Sequence, residues 1–149
     1  MESIINKYAR SQYEFLEEWD AGIVLVGAEV KSIKKGSMNL TAAYIGIENG
    51  ELWLKNAHIS PYQRGNQPGY DPERPRKILL HRSEIHSIMG KLQTKGLTLI
   101  PEKVYSKQGI IKVRLGLARG LKQHDKRQKM KKRDTERQLA RAIKQGILE

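Results

Sequence analysis

Between Lys112 and Gln138 the chain reads KVRLGLARGLKQHDKRQKMKKRDTERQ, and its two halves obey different rules. Val113, Leu115 and Leu117 stand at alternate positions, the period of a strand with one buried face. At Gly120 this alternation stops, and from Lys122 onward charge dominates. A chain with such a break folds a β body up to that glycine and then leaves it. Charge divides the chain at the same place. There are 28 Lys and Arg against 16 Asp and Glu, a formal net of +12. Residues 121–149 hold 10 of the bases and 4 of the acids, so half of the excess lies in about a fifth of the chain. An excess of this kind points to a polyanionic partner.

Turn signals partition the body. Residues 13–25 read as two extended pieces joined at Ala21-Gly22, and residues 28–35 as a short helix closed by Gly36. Asn49-Gly50 accepts the positive φ angles of a type I′ turn and centres a hairpin over residues 39–60. Residues 61–76 hold all but one of the five prolines and form a loop whose Arg64, Arg74 and Arg76 are candidate polyanion contacts. After a strand at residues 77–81, Ser83 is placed to cap a helix with Ile85, Ile88, Met89 and Leu92 on one face. A strand over residues 97–100 should end at Pro101, and Lys107-Gln108-Gly109 turns a second hairpin. Such short, turn-bounded strands predict a mainly β fold: a small closed antiparallel barrel of about six strands with two or three short helices, because closure removes exposed edges.

Residues 125–145 contain neither Pro nor Gly and are rich in good helix formers. Met130, Leu139, Ile143 and Ile147 are too sparse for a firm seat, and the charge repels itself. A helix there is expected only where phosphates offset the charge, with Gly146 as its cap.

Little in the chain suggests catalysis. There is no cysteine, which excludes disulfides and thiolate chemistry. His58, His81, His86 and His124 show no metal-ligand spacing, and neither a G-x-S-x-G elbow nor a Gly-rich phosphate loop is present. His124 and Asp125 do not face each other on a helix, and they lie in a charged stretch where a dry catalytic pocket cannot form. The expectation is a protein that is not an enzyme and needs no cofactor or metal. No apolar run approaches the ~20 residues of a membrane span, and residues 1–7 lack the apolar stretch of a signal peptide. A cytoplasmic protein without a membrane partner is expected.

The stretches NKYAR, EEWDAGIVLVGAEVKSIKKGSMNL, NAHISPY, DPERPRKILLH, KGLTLIPEKVY, IKVRLGLARG and KQHDKR follow one another along nearly the whole chain. In this order they resemble SmpB, the SsrA (tmRNA)-binding protein family of bacterial trans-translation. The resemblance implies an OB-like barrel at residues 1–120 that binds the tRNA-like domain of tmRNA. It implies a basic tail at residues 121–149, disordered when free and helical in the vacant mRNA channel of a stalled ribosome, near the decoding centre. A monomer is expected. Asp20, Leu79 and Lys112 match the family's tmRNA contacts, although the family usually has Glu where this chain has Asp20. Asn6, Lys7 and Arg10 match its N-terminal motif. In the tail, Gly120 matches a hinge glycine, His124 a residue that stacks on ribosomal RNA, and Asp125, Lys126 and Arg127 a triplet needed for tagging. Lys131, Lys132 and Arg133 continue the ribosome-contacting tail. Leu121 departs from the lysine usual after the glycine. From the residues alone, Leu79 is equally a core residue or an RNA contact. A basic barrel by itself also fits a generic OB-type single-strand RNA-binding or ribosomal protein.

Overall fold

Two tight turns fold hairpins back on themselves. At Asn49-Gly50 and Gln108-Gly109 all four residues have positive φ, between 52° and 78°, the left-handed pair that a type I′ hairpin turn requires. The computed structural model describes residues 1–63 and 68–144, without the side chains of residues 123–126. Its elements are β1 (Ile4–Ile5), α1 (Lys7–Gln12), β2 (Tyr13–Ile23), α2 (Gly27–Lys34), β3 (Met38–Asn39), β4 (Tyr44–Glu48) and β5 (Glu51–Lys55), then β6 (His58–Ile59), β7 (Arg76–Leu79), α3 (Arg82–Lys91), β8 (Leu97–Lys107), β9 (Ile110–Gly120) and α4 (Gln123–Lys144).

Seven strands form one antiparallel sheet in the order β1-β8-β9-β2-β7-β5-β4, and β3 pairs separately with β6. The expected closed barrel of about six strands is not formed. The fold is an OB-like mixed α/β arrangement whose sheet stays open between its end strands, β1 and β4. Two features keep it open. β1 is only two residues long and is spent on Lys103 and Val104. On the other side of the seam, Tyr44 of β4 shares a cavity of about 410 Å3 with Tyr8, Tyr13 and Ile100. Side chains line the gap, and no ladder pairing joins β1 to β4 among the described residues.

The strand expected to end at Pro101 instead runs on to Lys107. Its register with β9 slips between Pro101 and Lys103, and at such a bulge the ladder does not need the N–H that proline lacks. Asn6 ties the bulge to α1. Its Nδ2 donates to the Pro101 carbonyl at 2.9 Å, its backbone N–H donates to the Glu102 carbonyl at 2.9 Å, and its Oδ1 accepts from the Ala9 N–H at 3.1 Å. The extended pieces expected on either side of Ala21-Gly22 are one strand, β2, through Ile23. α3 starts at Arg82, before the expected Ser83 cap, with the His81 N–H donating to Glu84 Oε1 at 3.2 Å.

The core collects inward residues of the strands, among them Ile45, Leu52, Leu54, Ile78, Leu99, Val104, Val113 and Leu115, beneath Ile33 of α2 and Ile88 of α3. Phe15 lies over Gly116 so closely that a Cβ there would stand 2.2 Å from its ring. α4 meets the body at α1. Lys129 Nζ donates to the Tyr13 carbonyl and Arg133 to the Arg10 carbonyl, both at 2.8 Å.

An ionic cluster is buried beside this core. Glu29 and Arg76 are 1% and 0% exposed. Arg76 Nε donates to Glu29 Oε2 at 2.7 Å, and other nitrogens of the same guanidinium reach the carbonyls of Ala57 at 2.8 Å and Pro72 at 3.0 Å. Arg74 donates to Glu29 Oε1 at 2.5 Å. Arg74 and Arg76, expected as polyanion contacts, are thus turned inward onto Glu29, and Arg64 lies outside the described residues. Burial raises the Glu29 pKa, but the Val26 N–H and the two guanidiniums outweigh it and hold the carboxyl below the usual range. Arg76→Met leaves the buried carboxylate with Arg74 and the Val26 N–H and is expected to cost about 3 kcal/mol in urea unfolding, while Glu29→Met with Arg76→Met recovers most of the loss. A lowered folded-state pKa stabilises above the ordinary glutamate range and is lost as pH falls through the folded value. Glu29→Gln should therefore show a flatter acid limb in stability against pH.

Candidate nucleic-acid interface

β2 lies between β7 and β9, and Gly22 is the point where all three meet. It pairs with Leu79 on one side and with Lys112 on the other. Asp20, Leu79 and Lys112, separate in sequence, thereby line one shallow depression of about 330 Å3 together with His81 and Glu84. Along β7 the neighbours Ile78 and Leu79 point to opposite faces. Ile78 is buried, and Leu79 is 49% exposed. Leu79 is therefore not a core residue. It forms a ridge, for it also lines a second depression of about 290 Å3 with Lys77 and Arg82. Gly22 lets it sit there, since a Cβ on Gly22 would come within 3.3 Å of the Leu79 Cβ.

Asp20 is held in place. The Tyr105 hydroxyl donates to its Oδ1 at 2.6 Å and Arg114 Nε donates to the same oxygen at 3.0 Å. The Tyr105 hydrogen bond, working against some desolvation and aided by Arg114, holds the carboxyl below the usual aspartate range. Arg114 lies 5.7 Å from the Tyr105 ring centre and Lys103 Nζ 5.2 Å. Tyr105 and Arg114 are part of this surface although the sequence reading did not select them. The signal was there in β9, where Lys112 and Arg114 alternate with the buried Val113 and Leu115.

The remaining candidates lie elsewhere. Asn6 is buried at 3% exposure and fastens α1 to β8, so it acts as scaffold. Lys7 is exposed on α1, and Arg10 is 4.0 Å from Glu102. Gly120 ends β9 opposite Tyr13. Arg127, Lys131 and Lys132 are exposed on α4, and Arg133 reaches back to α1. His124, Asp125 and Lys126 lie in the helical backbone of α4, but their side chains fall outside the described residues, as do residues 145–149 with Gly146 and Ile147. His58 is exposed beside Glu73 at 4.0 Å, and His86 is exposed on α3.

Comparison with known proteins gives one family. A family model described as SmpB protein matches residues 3–145. A protein of Thermosynechococcus vestitus named SsrA-binding protein is 54% identical over 142 residues, covering 94% of this chain and 93% of its own. One of the same name from Carboxydothermus hydrogenoformans is 51% identical over 146 residues, covering 97% and 98%. A solved structure described as "tmRNA-SmpB: a journey to the center of the bacterial ribosome" superposes with a TM-score of 0.69 at 47% identity, covering 81% of this chain and 85% of that one.

Tyr105→Phe removes the strongest hold on Asp20 and should raise its pKa toward the ordinary aspartate value, read by carboxyl-carbon NMR titration. An unmoved Asp20 resonance would show that Tyr105 does not set this site.

Proposed function

The chain belongs to the SmpB protein family, and from that premise we propose how its surfaces share the work of that family. The protein binds the tRNA-like domain of tmRNA and delivers it to stalled ribosomes for trans-translation, acting as a non-catalytic adaptor. Its partners are tmRNA and the ribosome, which places its work in the cytoplasm.

The observation that carries the division of roles is the half-exposed Leu79 ridge between Asp20 and Lys112. A folded RNA is recognised mostly through shape, phosphate and 2′-hydroxyl contacts, with stacking on exposed bases. The depression offers one group for each. Leu79 is an apolar surface for a sugar or base face. Lys112 is a point charge for phosphate. Asp20 is an acceptor for a 2′-hydroxyl or base N–H, already oriented by Tyr105 and Arg114. Asp20 is one methylene shorter than glutamate, and its ties to Arg114 and Tyr105 fix where that shorter reach ends. Lys7 and Arg10 supply further cations on α1.

The tail beyond Gly120 has the second role. His124, Asp125, Lys126 and Arg127 open it, and Lys131 and Lys132 add exposed charge. Released from α1, it follows the vacant mRNA channel as a helix, with RNA phosphates offsetting its charge. Gly120 is the last residue of β9, opposite Tyr13, and marks where the tail leaves the body.

Two measurements test this division. Leu79 has about half its surface left to bury, so Leu79→Ala should cost about 1 kcal/mol of tmRNA binding, about fivefold in Kd, with an unchanged thermal midpoint. A lowered midpoint with unchanged Kd would return Leu79 to the core. Deleting residues 121–149 should leave tmRNA affinity within about tenfold while abolishing tagging on stalled ribosomes. Retained tagging would remove the tail from the mechanism.

A further inference from the structure

The cleft between α1 and α4 is walled by like charges. Lys7 and Arg10 on one helix and Arg133 and Arg137 on the other line a cavity of about 310 Å3, with Ile5 at its edge. The two helices are joined by long cations that cap the C-terminal carbonyls of α1, Lys129 at Tyr13 and Arg133 at Arg10, where the helix dipole is negative. That attraction draws α4 in, and it also brings four cations around one space. Of the acids near these cations, Glu14 is bonded to Arg119 at 2.6 Å and Glu102 lies 4.0 Å from Arg10. Burial and the adjacent Glu18 carboxyl raise the Glu102 pKa, which makes it a poor counter-ion. Burial and Arg133 likewise hold the Lys129 ammonium below its usual range.

We propose that this cleft is a binding site for the phosphates of an RNA backbone, and that its occupancy holds the tail helix on α1. Guanidinium forks from both helices suit a bridging phosphate, which each can bind through two N–H groups. With the cleft empty, repulsion among the cations works against the two hydrogen bonds that seat α4 on α1 and weakens that seat. With a phosphate between them, the repulsion becomes a bridge. A membrane headgroup offers similar chemistry, but an interfacial helix needs a continuous apolar face. Met130 and Leu139 are nine residues apart, on opposite sides of α4, and only Leu139 and Ile143 share a side. The site therefore fits RNA. It rests on the reading of the chain as an RNA-binding protein and adds to it a switch between a docked and a released tail.

The absence of cysteine permits a clean test in the full chain. Ser3→Cys with Gln138→Cys accepts a donor and acceptor dye, and energy transfer reports whether α4 lies on α1. The probes are hexauridylate and inorganic pyrophosphate. Transfer should rise with both, and at lower concentration with hexauridylate. Lys7→Gln with Arg137→Gln should shift the midpoint by about tenfold or more, as two charge-assisted contacts are lost, and Lys7→Arg should retain it. An unchanged midpoint in the charge-removed variant overturns the site, and a response to pyrophosphate alone overturns its assignment to RNA. The Leu79→Ala measurement is independent of this one, so a failed cleft leaves the tmRNA surface standing and a failed tmRNA surface leaves the cleft titration readable.

Discussion

The buried ion pair between Glu29 and Arg76 is the constraint on which the rest of the body depends. A guanidinium at 0% exposure is tolerable only when its charge and its donors are met. Here Glu29 meets the charge, and the carbonyls of Ala57 and Pro72 accept from the remaining nitrogens. Each partner belongs to a different part of the fold. Glu29 comes from α2, Ala57 from the turn before β6, Pro72 from the loop, and Arg76 from the first residue of β7. The same carboxylate accepts from the Val26 N–H at 3.0 Å and so starts α2. One charge thus fixes how α2, the loop and β7 meet. Because Leu79 lies three residues beyond Arg76 on the same short strand, the pair also fixes where the RNA-facing ridge stands.

From that anchor the candidate surface follows by strand pairing. β7 pairs with β2 at Gly22 and Ile23, with the Val24 N–H donating to the Lys77 carbonyl just beyond, whereas β2 pairs with β9 along most of its length. The depression forms at this narrow join, where a glycine lets Leu79 lie close and β9 brings Lys112 opposite. The open seam between β1 and β4 has a different consequence. It leaves α1 beside an unpaired edge, held by Asn6 to the Pro101 bulge, with its C-terminal carbonyls available to α4. A closed barrel would have no such seat.

Local features of the fold were legible in the sequence, and long-range ones were not. Asn49-Gly50 announces its turn because few other pairs accept two positive φ angles. Gly36, at a φ of 81°, ends α2 for the same reason. Pro101 misled because a proline breaks a regular ladder, and nothing local shows that a bulge will spare it. Arg74 and Arg76 read as surface charge because their partner, Glu29, lies more than forty residues away. Sheet closure was likewise beyond local pattern, since it depends on how two distant edges meet. As for the surface, Asp20, Leu79 and Lys112 were found through family resemblance. Alternation along β9 alone would have added Arg114, while the exposure of Leu79 required the pairing of β7 with β2.

Charge is distributed so that the two parts of the chain respond to RNA in different ways. In the body the acids are largely matched to bases. Glu14 bonds Arg119, Glu17 bonds Lys91, Asp20 bonds Arg114, and Glu48 bonds Lys55. Exposed pairs of this kind contribute little stability. They do hold side chains in fixed places and quiet the field around them, so short-range fit can decide which RNA binds. In α4 neither Asp134 nor Glu136 forms an ion pair among the described residues, and its bases face solvent or α1. That unmatched charge acts at a distance and weakens steeply with salt. A body that selects by shape and a tail that is drawn by charge can thus be parts of one short chain without either obscuring the other.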